Sequence, residues 1–167
     1  MQKILIPIDG SPNCQLPVKH VIKEFMNNTA MEIHLLNVQH PFNGDIARFV
    51  SRKIRHDYHR EQADKALGPA KQMLDNFGIP YAAHLEVGHK AEAITATAHR
   101  LHCDLIVMST SRKNTLTRLV EDSVTNKVLE LTSVPVEVIA GDAMSRWERY
   151  GIPAGIGAVL ALIFAAT

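Results

Sequence analysis

The chain of 167 residues reads as an open, doubly wound α/β domain, five parallel strands alternating with four helical regions, followed by an apolar tail. Three observations predict this. Apolar runs at 4–8 and 105–108 lack the polar alternation of a sheet with one wet face, so each predicts a strand covered on both sides, and 31–38 reads as a further strand. Between the runs, apolar residues recur at steps of three and four, as in Leu16, Val18, Val21, Ile22 and Phe25, which gives a helix one buried stripe. Residues 103–139 hold a whole unit of strand, polar turn, helix and strand, the βαβ unit of parallel sheets.

Taken in order, Ile4, Leu5, Ile6 and Ile8 form a strand that reads as central, ended by Asp9, Gly10 and Ser11. Pro12 suits the entry of the first helix, and Asn27, Asn28 and Thr29 stop it. A loop at 39–45 follows the second strand. Residues 45–77 are mainly helical, with Gly68 and Pro69 as the expected point of bending or division. Residues 81–87 give the third strand and 90–102 a helix packing through Ala91, Ala93, Ile94, Ala98 and Leu101. The fourth strand covers 105–108, and Ser109 opens a polar turn. The last helix starts at Thr115 and packs through Leu116, Leu119, Val120, Val124, Val128, Leu129 and Leu131. The last strand, 134–139, contains Pro135, which assigns it to a sheet edge.

Composition narrows the function. Lys and Arg number 18 against 17 Asp and Glu, and aromatics make up 5%, so neither a nucleic-acid footprint nor a base-stacking surface is expected. Cys14 and Cys103 show neither CxxC spacing nor a disulfide framework, which fits a reducing cytoplasm, and no signal peptide precedes the first strand. No nucleophile elbow surrounds Ser11, Ser109, Ser111 or Ser123, and no histidine has a motif-level acid partner, so the chain does not read as an enzyme. His56 and His59 share a helical face near Asp57 and Glu61, but a metal site lacks a third fixed ligand there. Arg48, Arg52, Lys53, Arg55 and Arg60 read as a solvated basic face, the alternative being a face toward a partner or lipid headgroups.

The segments KILIPIDGS, VGHKAEAI, DLIVMS and SRKNTLTRLVEDSVTNKVLELTSVPVEVI together resemble the universal stress protein family over roughly residues 2–140. The resemblance implies an adenine nucleotide alpha hydrolase-like, Rossmann-like sheet over a domain at 1–141. It implies a stress-response role and a homodimer through the last strand, with Val134, Val136 and Val138 at the interface. In ATP-binding members the turn after the fourth strand carries G-x2-G-x9-G-[ST]. That spacing places Ser109, Arg112 and Asp122 at the glycine positions, and Ser123 alone fits. Side chains there narrow a backbone cradle for phosphate, and Asp122 adds like charge, while Arg112 and Lys113 act in the opposite sense. The expectation is no bound cofactor. The alternative is an ATP or adenine-nucleotide sensor in which the family's aspartate and valine positions, here Asp9 and Val38, meet the ligand. Asp9 otherwise caps the first helix.

The tail lies outside the family pattern. Residues 150–167 contain no charge and, as a helix, span about 27 Å at about 1.5 Å per residue, slightly short of the bilayer core of about 30 Å, so crossing needs help from the flanks or a thin bilayer. Trp147 and Tyr150 suit a headgroup boundary, and Arg146 and Arg149 favour the cytoplasmic side. Gly151 and Gly155 form a GxxxG pair, and Ala154, Ala158, Ala161 and Ala165 continue a surface of small residues along which membrane helices pack. These features predict a juxtamembrane linker at 142–149 and a transmembrane helix at 150–167. The domain is then expected on the cytoplasmic face of the inner membrane, with the tail packing against that of a sister subunit or against an integral membrane protein.

Overall fold

The computed structural model describes residues 1–110 and 124–140. The strands are β1 (Gln2–Pro7), β2 (Met31–Gln39), β3 (Tyr81–Val87), β4 (Leu105–Thr110) and β5 (Val136–Ala140). The helices are α1 (Gln15–Asn27), α2 (Gly44–Phe49), α3 (Arg52–Asn76), α4 (Lys90–Arg100) and α5 (Val124–Leu131), and a short 3-10 turn at Pro12–Cys14 leads into α1. All pairings are parallel, in the order β3-β2-β1-β4-β5, so β1 is central and β3 and β5 are the edges.

The unbroken apolar runs follow from burial on both sides. Ile4, Ile6, Ile8, Ile33, Leu35 and Val107 face α1 and α3, whereas Leu5, Leu36, Ile106 and Met108 face α4 and α5. Each fully buried side chain of this size contributes about 1.5–3 kcal/mol by removal from water, which makes the two sandwiched layers the main support of the fold.

The long helical region divides at Ser51, not at Pro69. Val50 is extended, and the Ser51 hydroxyl accepts the Ile54 amide at 3.3 Å, capping α3. Pro69 is exposed inside α3, so the Lys65 carbonyl that loses an amide partner lies beside solvent, and the helix continues. His59, Ala63, Leu67, Ala70 and Leu74 form its buried stripe.

Two strand boundaries also differ from expectation. β4 runs on through Ser109 and Thr110, paired with Ile139 and Ala140, so Ser109 belongs to the ladder and does not open the turn. β5 begins at Val136, because Pro135 has no amide to donate and the Val134 amide is bonded to Thr132 Oγ1 at 3.0 Å. Of the residues expected at a dimer surface, Val134 precedes the strand and, like Val136, packs against the α4 and α5 layer, while Val138 is exposed. α4 ends two residues earlier than expected, with His102 in the left-handed region (φ 54) and the Cys103 amide returning to the Ala98 carbonyl.

Among the described residues no helix is long and apolar enough to cross a membrane. The tail residues Trp147, Tyr150, Gly151, Gly155, Ala158 and Ala161 lie outside the described residues, as do Arg112, Asp122 and Ser123.

Candidate functional site

In an open parallel sheet the neighbours of the strand where the winding reverses part at their carboxyl ends, and ligands collect there. Here β1 and β4 are in register at Ile4↔Leu105 and Leu5↔Ile106 and no further, whereas β1 remains bonded to β2 as far as Ile8, whose amide donates to the Leu36 carbonyl at 2.8 Å. The crevice therefore opens on the β4 side of β1. Asp9, exposed, lies just past the end of β1 on one side of it, and Ser109, half-buried, lies near the end of β4 on the other.

Asp9 is partly occupied by a local task. Its Oδ1 accepts the Ser11 amide at 2.9 Å, closing a turn ahead of Pro12, while the 3-10 segment that follows has no side-chain cap. Gly10 holds φ +80 in this turn, and a β-carbon there would lie 3.4 Å from Ala66 of α3. β2 runs past the end of β1 to Gln39, so beyond Leu36 its backbone, Val38 included, is in register with β3 alone. Val38 is half-buried against the α4 layer.

A buried amide that sequence reasoning missed organises this end of the sheet. Asn37, 2% exposed, donates from Nδ2 to the Ile8 carbonyl at 2.7 Å and accepts Gln39 Nε2 at 2.6 Å. It joins β1 to β2 just where the regular ladder stops. A polar residue inside the apolar run of residues 31–38 was its one sequence signal.

A second concavity lies on the far side of β2. Pro41 and Phe42, in the loop after β2, meet Arg52, Arg55 and His59 of α3 and Val87 at the end of β3 around a cavity of about 220 Å³. Phe42 packs against His59 with ring centroids 4.9 Å apart and against Tyr58 at 5.3 Å. His56, which the sequence groups with His59, is exposed and lies 3.7 Å from Asp57. Among the described residues no group of three or more His, Cys, Asp or Glu is placed to hold a metal. Cys14 and Cys103 are buried free thiols whose pKa values burial pushes up, which leaves them protonated and weakly nucleophilic.

A five-stranded parallel sheet wound on both faces, with an acidic residue beside the crevice at its reversal point, defines an open, doubly wound α/β protein with a candidate ligand crevice. A sequence profile described as the Universal stress protein family matches residues 1–140, and the chain belongs to that family. It is 32% identical over 141 residues to Universal stress protein MJ0531 of Methanocaldococcus jannaschii, covering 83% of this chain and 81% of that one. The structure of hypothetical protein MJ0577 superposes with a TM-score of 0.70 at 27% identity, covering 85% of this chain and 97% of that one. A family protein from Arabidopsis thaliana, solved with AMP bound, shares the fold at a TM-score of 0.63 and 16% identity, covering 86% and 94% of the two chains.

Proposed function

We propose that the chain is a non-catalytic regulatory member of the family, with weak or lost nucleotide binding, that works as a homodimer joined at β5 and acts on an integral membrane protein while held to the cytoplasmic face of the inner membrane by its tail. The observation that carries weak binding is the ladder at Ser109 and Thr110. Pairing with Ile139 and Ala140 on one side holds Ser109 and Thr110 extended and not in a turn, and the sequence then supplies Arg112 and Asp122 at positions where glycine would permit close approach. The edge position of β5 supports pairing of two copies. The uncharged stretch at 150–167, flanked by Arg146, Trp147, Arg149 and Tyr150, supports the tether.

Equilibrium dialysis with labelled ATP tests the first part, and the expected outcome is no saturable binding at micromolar concentration. Carbonate extraction of membranes tests the second: the protein is expected in the pellet, and its full release ends the tether reading. Cross-linking with mass spectrometry then identifies the membrane partner.

The AMP-bound relative supports a second reading, an adenine-nucleotide sensor. Asp9 stays exposed beside the divergence of β1 and β4, and Val38 has backbone unpaired toward β1, so both remain available to a ligand, and the sequence adds Arg112 and Ser123 as candidates. Micromolar ATP affinity abolished by Asp9→Ala favours this reading over the first.

A further inference from the structure

The concavity beside β2 is separate from the reversal crevice, and its chemistry is unbalanced. Arg52 and Arg55 line it, and neither has a carboxylate within ion-pair distance among the described residues. Among the described residues Arg55 Nε is buried and without a hydrogen-bond partner, and so is Nδ1 of His59, a residue only 8% exposed. Both residues line the cavity, so this wall carries polar side chains whose hydrogen bonds the described residues leave unmade. α3 begins here as well, with no acidic residue in its first turn, so the positive end of its dipole is uncompensated by the helix itself. The remaining lining, Pro41, Phe42 and Val87, is apolar. The volume of about 220 Å³ equals roughly seven waters at about 30 Å³ each, enough for one ring with a charged head.

We propose that this cavity is a binding site for a small organic anion, a phosphate or carboxylate head held by Arg52, Arg55 and His59 with a flat apolar body against Phe42 and Val87. Guanidinium groups suit either head because their forked donors match paired oxygens. Occupation also reverses the local electrostatics of His59. Burial and the neighbouring Arg55 and His56 push its pKa down, and an anion beside it raises the pKa. The site needs neither the reversal crevice nor the tail, so it stands or falls apart from the function proposed above.

The test uses the full chain in neutral detergent, histidine-labelled for NMR, with phenyl phosphate, benzoate and inorganic phosphate as probes. Phenyl phosphate is expected to shift the His59 imidazole signals saturably and to raise the pH at which they titrate; benzoate responding in its place assigns the site to carboxylates. Arg55→Gln is expected to weaken binding at least tenfold. Arg52→Gln, a change at an exposed position that leaves the core untouched, is expected to do the same with an unaltered thermal melt. Lys23→Gln, which removes a positive charge from the exposed side of α1, is expected to change nothing. The proposal is overturned if no probe shifts His59 at millimolar concentration, if Arg52→Gln binds as well as the parent, or if inorganic phosphate binds as tightly as both aryl probes.

Discussion

His34 and His84 face each other across β2 and β3, with Nδ1 of His34 3.1 Å from Nε2 of His84. One ring must donate and the other accept, so the contact needs at least one neutral imidazole and is lost when both carry a proton. His34 is 5% exposed, and its Nε2 lies 3.2 Å from Glu32 Oε1 without the angle of a hydrogen bond. Burial, then His34, then Arg100 lower the His84 pKa, with Glu86 opposing them.

Acid should therefore loosen this edge of the sheet. A histidine whose folded pKa is depressed contributes fully above its unfolded value, near 6.5, and that contribution declines as the pH falls from there toward the folded value. The urea midpoint is expected to drop between pH 7.5 and pH 5.5. His84→Gln should flatten the dependence, and an equally steep profile in that variant would assign the effect to other groups, with His59 the next candidate because its pKa is lowered as well.

Asn37→Ala should destabilise the domain by about 1–3 kcal/mol, because the Ile8 carbonyl loses its side-chain donor in a buried setting and Gln39 loses its acceptor. Chemical denaturation measures the loss. Leu36→Ala, its fully buried neighbour, should cost about 2–5 kcal/mol through cavity formation. A smaller loss for Asn37 than for an exposed position such as Lys23 would remove the amide from its bracing role.

Two backbone positions predict changes of opposite sign. Gly10→Ala places a side chain at φ +80 with Ala66 3.4 Å away, and a loss of about 1 kcal/mol or more is expected. His102→Gly relieves a left-handed residue at the end of α4, and a gain of up to about 1 kcal/mol is expected. Thermal melts of both variants check the pair.

The thiols should be slow. Cys14 and Cys103 are expected to react with an aromatic disulfide reagent in the native protein far more slowly than in urea, because both are buried and protonated. Rapid labelling of native protein would show that one of these segments opens readily.

The sheet is legible because strands buried on both faces, such as residues 4–6 and 105–108, cannot alternate, and Pro135 assigns the last strand to the edge where β5 lies. The break near α3 was misplaced because proline weighs heavily in sequence, yet one on the wet side of a helix is tolerated, whereas the Ser51 cap depends on local bonding. Ser109 misled in the same way: a polar residue at the end of a strand reads as a turn, but pairing with Ile139 extends the ladder. The cavity was beyond reach, since Phe42, His59 and Val87 are distant in sequence and converge only when β2, α3 and β3 pack. Arg52 and Arg55 then read as part of a wet basic face and His59 as half of an incomplete metal pair.

The placement of β3 and β5 at opposite margins of the sheet governs how two copies would communicate. Joined along β5, they would form a ribbon of ten strands whose outermost members are the two β3 strands, about 43 Å apart at about 4.8 Å per strand. The anion pockets would sit near those far ends with both cores between them, so occupancy of one should leave the other's affinity unaltered and give a Hill coefficient of about one.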